Sequence, residues 1–291
     1  MEARISGHTR LFCLIGSPVG HSGSPAMYNY TFAKLGIDAA YLAFDIPLDK
    51  LAEGIAAIRT FHVGGFNITM PCKREVLNYL DEVSPAAKLI GASNTVVVTD
   101  EGKLVGHNTD GIGFVRNLQQ HGEEVKGKKI VLLGAGGAAT AIAVQTALDG
   151  AADLKIFNIK DSFYANAEDT AAKLKEAVPT CSVSVHDMAD AEALKNAVAE
   201  ADILVNATKM GMKPLDDDSL IHPEYLRNDL VVADTVYNPR ETVLIQEAKK
   251  AGCKAAIGGI GMLLWQGVEA FKLFTGKDMP WKEVEAEFFA E

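Results

Sequence analysis

Cysteine is scarce in this chain. Its four, Cys13, Cys72, Cys181 and Cys253, are scattered, with no C-x-x-C spacing and no histidines gathered round them. A disulfide framework and a structural zinc are thereby excluded, and no metal is expected. Isolated cysteines of this kind are small buried hydrophobes of a reducing compartment. Positive charge is in deficit: 28 Lys and Arg face 38 Asp and Glu, a net charge of −10. Neutralising phosphates takes a basic surface, so a nucleic-acid partner is not expected. A phosphate pocket built from backbone N–H groups remains open. Met1–Arg10 carries charges and no apolar leader core, which adds to the expectation of a cytoplasmic protein. Ile130–Leu148 runs uncharged for 19 residues, nominally a membrane-spanning length. It holds three glycines and six alanines, and its strongly apolar part is only Ile130–Leu133. A buried strand, a glycine turn and an alanine-rich helix explain it better than a membrane span.

What is present is a folded composition, 48% hydrophobic and 23% charged. The 291 residues suit two domains. Strand-like and helix-like segments alternate, as in an α/β protein. Strands are predicted at Leu11–Ile15, Tyr41–Ile46 and Gly65–Thr69, and helices at Ser24–Leu35, Leu48–Thr60 and Pro71–Leu80. Ser24 is the expected N-cap of the first helix, and Gly36 closes it. Thr95–Val98 and Lys103–Gly106 flank Asp100-Glu101-Gly102, a hairpin signal. After the helix Asp110–His121, a polar stretch leads to a second domain. There the predicted strands begin at Lys129, Leu154, Ser182, Ile203, Leu230 and Lys254, with helices between them and a long amphipathic helix at Met262–Thr275.

Val131–Ala138 reads strand, then Gly134-Ala135-Gly136-Gly137, then helix. Glycines there permit a tight turn and let backbone N–H groups approach a pyrophosphate at the helix N-terminus. The spacing departs from G-x-G-x-x-G, because position 139 is Ala. The bland alternative is a turn without a ligand. An acidic residue after the next strand would hold the ribose of NAD. Asp161, 27 positions beyond Gly134, lies in that loop. It could equally cap the helix expected near Ser162. The loop Asn158-Ile159-Lys160-Asp161 has no arginine for the 2′-phosphate of NADP. The expectation is therefore NAD, with NADP tolerated.

The first half carries four polar clusters at strand ends and helix starts: His21–Pro25, Asn67–Lys73, Ser93-Asn94-Thr95 and Asn108–Gly111. Together they offer hydroxyls, amides, an ammonium and a carboxylate, the inventory for a small polyhydroxylated, carboxylated molecule. Singly each has a structural reading as cap or solvated first turn.

These strings resemble the shikimate dehydrogenase family, with its S-x-S-P, N-x-T-x-P-x-K, Asn-Thr and N-T-D-G motifs. The second half is similar too, at Gly134–Ala138, Asn206–Gly211, Val236–Pro239 and Gly259–Gln266. Asn206–Gly211, Met262–Gln266, Thr275–Pro280 and Asn158–Asp161 resemble the quinate/shikimate dehydrogenase branch, although Ile159 stands where that branch commonly has arginine. The resemblance implies an N-terminal open α/β substrate domain and a Rossmann-like NAD(P)-binding domain flanking a cleft. The boundaries expected are 1–109 plus 252–291 for the first and 110–251 for the second. It implies a catalytic pair, Lys73 and Asp110. It implies substrate contacts from Ser22, Ser24, Thr69, Asn94 and Gln266, with Tyr237 near both ligands. Cofactor contacts are implied for Gly134, Ala135, Gly136, Gly137, Ala138, Asn158, Ile159, Lys160, Asp161, Lys209, Thr235, Val236, Tyr237, Asn238 and Gly259.

Chemistry supports those roles. Oxidising a secondary alcohol sends hydride to nicotinamide while a neighbouring group takes the hydroxyl proton. A coupled Lys73–Asp110 pair can share that proton, and the sequence leaves the formal base open. His21 is the rival base, and His107 reads as structural. The expected function is reversible NAD(P)-dependent oxidation of the 3-hydroxyl of shikimate or quinate, with a homodimer left open. The rivals are a strictly NADP-dependent biosynthetic enzyme, a paralogue acting on another cyclic polyol acid, and a nucleotide sensor without catalysis.

Overall fold

A computed structural model describes residues 5–290. The chain divides into two compact units, Met1–Thr109 with Gln266–Glu291 and Asp110–Trp265. The first is built on β1 (Arg10–Gly16), α1 (Ser24–Lys34), β2 (Ala39–Asp45), α2 (Leu51–Thr60), β3 (Gly65–Ile68), β4 (Glu82–Val83), α3 (Pro85–Ile90), β5 (Thr95–Val98) and β6 (Leu104–His107). Its sheet has the order β2-β1-β3-β5-β6-β4. β1 pairs in parallel with β2 and β3, while β3, β5 and β6 pair antiparallel. Alternation along β1 sends Cys13 and Ile15 to a core shared with Leu51, Ile55, Phe66 and Ile68. Phe12, on the opposite face, packs 5.5 Å from the Phe32 ring of α1.

The second unit begins with α4 (Asp110–Gln120), then β7 (Lys129–Leu133), α5 (Gly137–Leu148), β8 (Asp153–Asn158), α6 (Tyr164–Ala177), β9 (Ser182–Asp187), α7 (Ala191–Glu200), β10 (Ile203–Asn206), β11 (Val231–Asp234), α8 (Val243–Lys250) and β12 (Ala255–Ile257). All six strands are parallel, in the order β12-β11-β10-β7-β8-β9. The strand order therefore reverses between β7 and β10, the place where such sheets bind ligands beyond their strand ends. The uncharged stretch 130–148 is this strand, turn and helix. Among the described residues no helix is long and apolar enough to cross a membrane. α9 (Ile260–Thr275) starts in the second unit and continues into the first, where Phe274 lies 5.4 Å from Phe12. α10 (Trp281–Phe288) follows, and its Glu283 pairs with Lys34 at 2.6 Å.

Four readings need correction. The chain rejoins the first unit at Gln266, not at 252, because Ala255–Ile257 pair with Val231–Ala233 in the second sheet. No α-helix spans 71–80. Bonds of the i to i+3 kind, Leu77 N–H to Arg74 O and Leu80 N–H to Leu77 O, make a 3₁₀ turn at Glu75–Tyr79, and Val76, Asn78 and Tyr79 are weak helix formers. The N-cap of α1 is Gly23, with Ser24 already inside the helix. α3 and α10 were not predicted, although Ser84-Pro85 announces the former, and Ser84 Oγ accepts from Ala87 N–H at 3.3 Å.

Candidate active site

In the second unit the glycine turn leaves β7 at the strand-order reversal. Gly134 has φ +107°, and a Cβ there would sit 2.8 Å from Ala207 O. Only glycine fits so close to the strand-end backbone of β10. Gly136 and Gly137 differ: a Cβ on either meets nothing within 4 Å. The first turn of α5 has no side-chain cap and is bordered by this open space, a combination that suits a pyrophosphate. These residues fit a dinucleotide. Ala135 is 4% exposed, which leaves only its backbone for contact. Asn166, which sequence reasoning missed, donates to Ala135 O at 2.7 Å and to Thr140 Oγ1 at 3.0 Å, fixing the turn from α6. Nothing in the sequence singles out one amide on a polar helix.

Beyond β8, Asn158 is buried and its amide donates to Ile159 O and Asp161 Oδ1. Asp161 Oδ1 also accepts from Phe163 N–H at 2.9 Å, while Oδ2 has no hydrogen bond among the described residues. Asp161 thus shapes the turn before α6 without being that helix's N-cap, which is Phe163. Ile159 is 56% exposed, and Lys160 lies 3.3 Å from Asp187. Two further loops follow β10 and β11. Lys209 is exposed on the first. On the second, Val236 is buried and Tyr237 is 44% exposed. Gly259 fits against the latter closely, a Cβ on it falling 2.4 Å from Thr235 O. Asp234, also missed, ends β11 with 2% exposure, and burial raises its carboxyl above the ordinary range.

In the first unit the strand ends draw the polar clusters together. Gly16 at the end of β1 packs on Thr69, and Ser17 N–H donates to Met70 O at 3.0 Å. Ser93 N–H donates to Lys73 O at 2.8 Å, and Ile68 N–H to Asn94 O at 2.8 Å. Asn94, 3% exposed, accepts from Thr109 N–H at 2.8 Å and donates to Thr109 Oγ1 at 3.0 Å. Asn67 completes this block, donating to Asn94 O and Thr95 Oγ1 and accepting from Tyr41 OH at 2.7 Å. Thr69, Lys73 and Asn94 are therefore held on one strand-end framework, and Asp110 directly follows the anchored Thr109. Ser22 Oγ accepts from Ser24 N–H at 3.2 Å, while the half-buried Ser24 hydroxyl has no partner among the described residues. His107 lies in β6, and burial lowers its imidazole pKa, which fits a structural residue. Gln266 lies in α9 where the chain re-enters this unit. Tyr237 belongs to the second unit with the glycine turn.

Comparison with known proteins gives two family matches. The shikimate dehydrogenase substrate binding domain matches residues 14–96, and the shikimate 5′-dehydrogenase C-terminal domain matches residues 259–287. A shikimate dehydrogenase (NADP(+)) of Streptococcus uberis is 54% identical over 282 residues, 96% of this chain and 95% of that one. The chain belongs to the shikimate dehydrogenase family. It is accordingly an oxidoreductase acting on a CH–OH group. Among solved structures, the shikimate 5-dehydrogenase of Listeria monocytogenes in complex with shikimate and NAD has a TM-score of 0.94 and 46% identity, covering 97% of each chain. The quinate dehydrogenase of Corynebacterium glutamicum in complex with NAD has a TM-score of 0.86 and 32% identity, covering 97% of this chain and 99% of that one. Both solved structures share the fold of this chain.

Proposed function

We propose that the chain catalyses the reversible oxidation of the shikimate 3-hydroxyl to 3-dehydroshikimate, with quinate as a secondary substrate. One observation carries this: near-full-length likeness to shikimate dehydrogenases in a chain whose first unit gathers Thr69, Lys73 and Asn94 on one framework. Ser22 and Ser24 take the carboxylate beside the start of α1. Thr69, Asn94 and Gln266 take the ring hydroxyls. Lys73 and Asp110 hold the reacting hydroxyl and exchange its proton. The nicotinamide ring supplies the hydride acceptor at C4. In this reading it lies near Tyr237 and Gly259. Gly134–Ala138 take the pyrophosphate, and Lys209, Thr235, Val236 and Asn238 the rest of the dinucleotide.

For the cofactor we infer use of both NAD and NADP, with NAD favoured. Asp161 Oδ2 offers an acceptor to ribose hydroxyls. Ile159 supplies no guanidinium, and the ammonium of Lys160 is drawn to Asp187. The relative's name points to NADP(+), whereas the Listeria structure contains NAD. The cytoplasm remains the location favoured by the free cysteines. Steady-state rates with shikimate and quinate, each against NAD⁺ and NADP⁺, test the whole reading. Turnover of neither acid refutes the function. A tenfold preference for NADP⁺ refutes the role of Asp161 and leaves the catalytic pair untouched. If the loop decides the cofactor, Asp161→Ala shrinks the NAD preference and added Ile159→Arg turns it toward NADP, on a scale of about 1–3 kcal/mol.

A further inference from the structure

The buried carboxylate of Asp234 ties its own strand-end loop to the end of β10 and to the start of α8. Oδ1 accepts from Asn206 Nδ2 and from Val236 N–H, each at 2.9 Å, and Oδ2 accepts from Thr242 Oγ1 at 2.7 Å. Each partner carries the restraint onward. Asn206 Oδ1 accepts from the Thr208 hydroxyl at 2.7 Å, and Asn206 Nδ2 also donates to Met210 O at 3.0 Å. The loop between them bears Lys209. Val236 O accepts from Gly259 N–H at 3.2 Å. Thr242 Oγ1 accepts from Ile245 N–H at 3.4 Å as the N-cap of α8. Every group acting on the carboxylate is neutral. A buried carboxylate among neutral donors costs stability that an apolar residue would not, so packing alone gives no reason for it. What an apolar residue cannot do is accept bonds at once from its own loop, from the end of β10 and from the start of α8.

We propose that Asp234 is a positioning residue for the dinucleotide, its carboxylate holding the loop of Lys209 and the loop of Tyr237 in one register through Asn206, Val236 and Thr242. This rests on the dinucleotide reading above. It goes beyond that reading by assigning the geometry of both loops to a side chain that need not touch the ligand.

The test uses the full chain. Fluorescence titration with NADH and with NADPH gives dinucleotide affinity, calorimetry with shikimate gives substrate affinity, and thermal unfolding reports folding. Asp234→Ala is expected to weaken both dinucleotides at least about tenfold and to leave shikimate affinity within about twofold. Asp234→Asn keeps the Oδ1 acceptor, and the Thr242 hydroxyl can turn to accept from the new amide. It should therefore stay within about threefold of the parent. A dinucleotide affinity unchanged in Asp234→Ala overturns the proposal. So does an equal loss for shikimate, which would mark general loosening, or an Asp234→Asn protein as weak as Asp234→Ala. Should Asp234→Ala fail to fold, Thr242→Val decides, with dinucleotide Kd expected to rise about threefold or more and an unchanged Kd overturning the idea. A parent that binds dinucleotide yet leaves shikimate unoxidised refutes the proposed function, while the Kd comparison still judges Asp234. A parent that binds neither dinucleotide overturns both.

Discussion

The glycines of the turn after β7 divide into one that the fold needs and two that border open space, where the proposed dinucleotide would bind, and substitution separates them. Gly134→Ala puts a side chain at φ +107° with its Cβ 2.8 Å from Ala207 O and 3.0 Å from Thr208 Cγ2. A non-glycine residue in so sparse a region costs about 1–3 kcal/mol, and overpacking against backbone about 1–3 kcal/mol more. The expected loss is roughly 2–6 kcal/mol. At about 2–4 °C per kcal/mol for a unit of this size, Tm falls by roughly 4–24 °C. Gly137→Ala meets no atom within 4 Å and lies at the start of a helix, where alanine gains up to about 1 kcal/mol over glycine. Tm should hold or rise slightly. Its methyl group nevertheless enters the open space that the proposed function gives to the pyrophosphate, so on that reading NADH and NADPH affinity should fall about tenfold or more. Thermal unfolding and fluorescence titration, run on both variants, read the two effects. A Gly134→Ala protein as stable as the parent would refute the strain and packing argument. Parental dinucleotide affinity in Gly137→Ala would show that the open space above the turn is not the ligand's.

Lys73→Ala should lower kcat by about two to four orders of magnitude with little change in shikimate affinity; near-normal kcat in steady-state assays would move the proton transfer to His21. Ser22→Ala combined with Ser24→Ala should raise KM for shikimate more than it lowers kcat, the mark of lost uniform binding; unchanged KM would leave the loop a mere helix start. Asn166→Ala frees the glycine turn from α6 and should weaken dinucleotide binding severalfold while shikimate binding, followed by calorimetry, stays unchanged. Because burial raises the Asp234 pKa in the folded chain, the native state binds more protons than the unfolded one between the ordinary aspartate pKa and the raised value, and this contribution to stability is lost as pH rises through that window. Asp234→Asn lacks it, so urea denaturation across mildly acidic to neutral pH should show the variant gaining on the parent as pH increases; a constant difference would refute the assignment.

Much of this was legible in the sequence because local chemistry and tertiary role agree. Leu11–Ile15 and Lys129–Leu133 are short apolar runs followed by Gly16 and Gly134, Gly65–Thr69 is a short run closed by Thr69, and each is a largely buried strand feeding a candidate site loop. The hairpin at Asp100-Glu101-Gly102 follows from the φ of +80° that Gly102 supplies. The misread segments are those where tertiary contacts decide. Pro71–Leu80 has helical spacing, yet its bonds shorten to a 3₁₀ turn before β4. The strand expected from Lys254 is present, but the boundary expected at 252 is not, because the pairing of β12 with β11 assigns residues up to Trp265 to the second unit. The turn at Asp161 could be read as a ribose contact or a cap, and its two oxygens differ in role, one shaping the turn and one without a bond in the chain.

Three strands of the second sheet, β8, β10 and β11, end in a buried polar residue: Asn158, Asn206 and Asp234. In the first sheet Asn67, Asn94 and Thr109 occupy the corresponding edge. A buried amide or carboxylate left without a partner costs about 1–3 kcal/mol, so each such residue permits only the loop conformation that satisfies it. Among the described residues no buried side-chain nitrogen or oxygen lacks a partner. The two edges thus solve one problem in the same way. Exposed or half-exposed groups such as Lys73, Lys209 and Tyr237 sit on loops, and buried neighbours that stay out of view fix the loops' backbones. In the first unit the fixing groups are neutral amides and hydroxyls. In the second a carboxylate takes part, so the stability of that edge changes with pH. Substitutions at Asn67 or Asn94 remove neutral hydrogen-bonding groups, whereas those at Asp234 carry a proton with them.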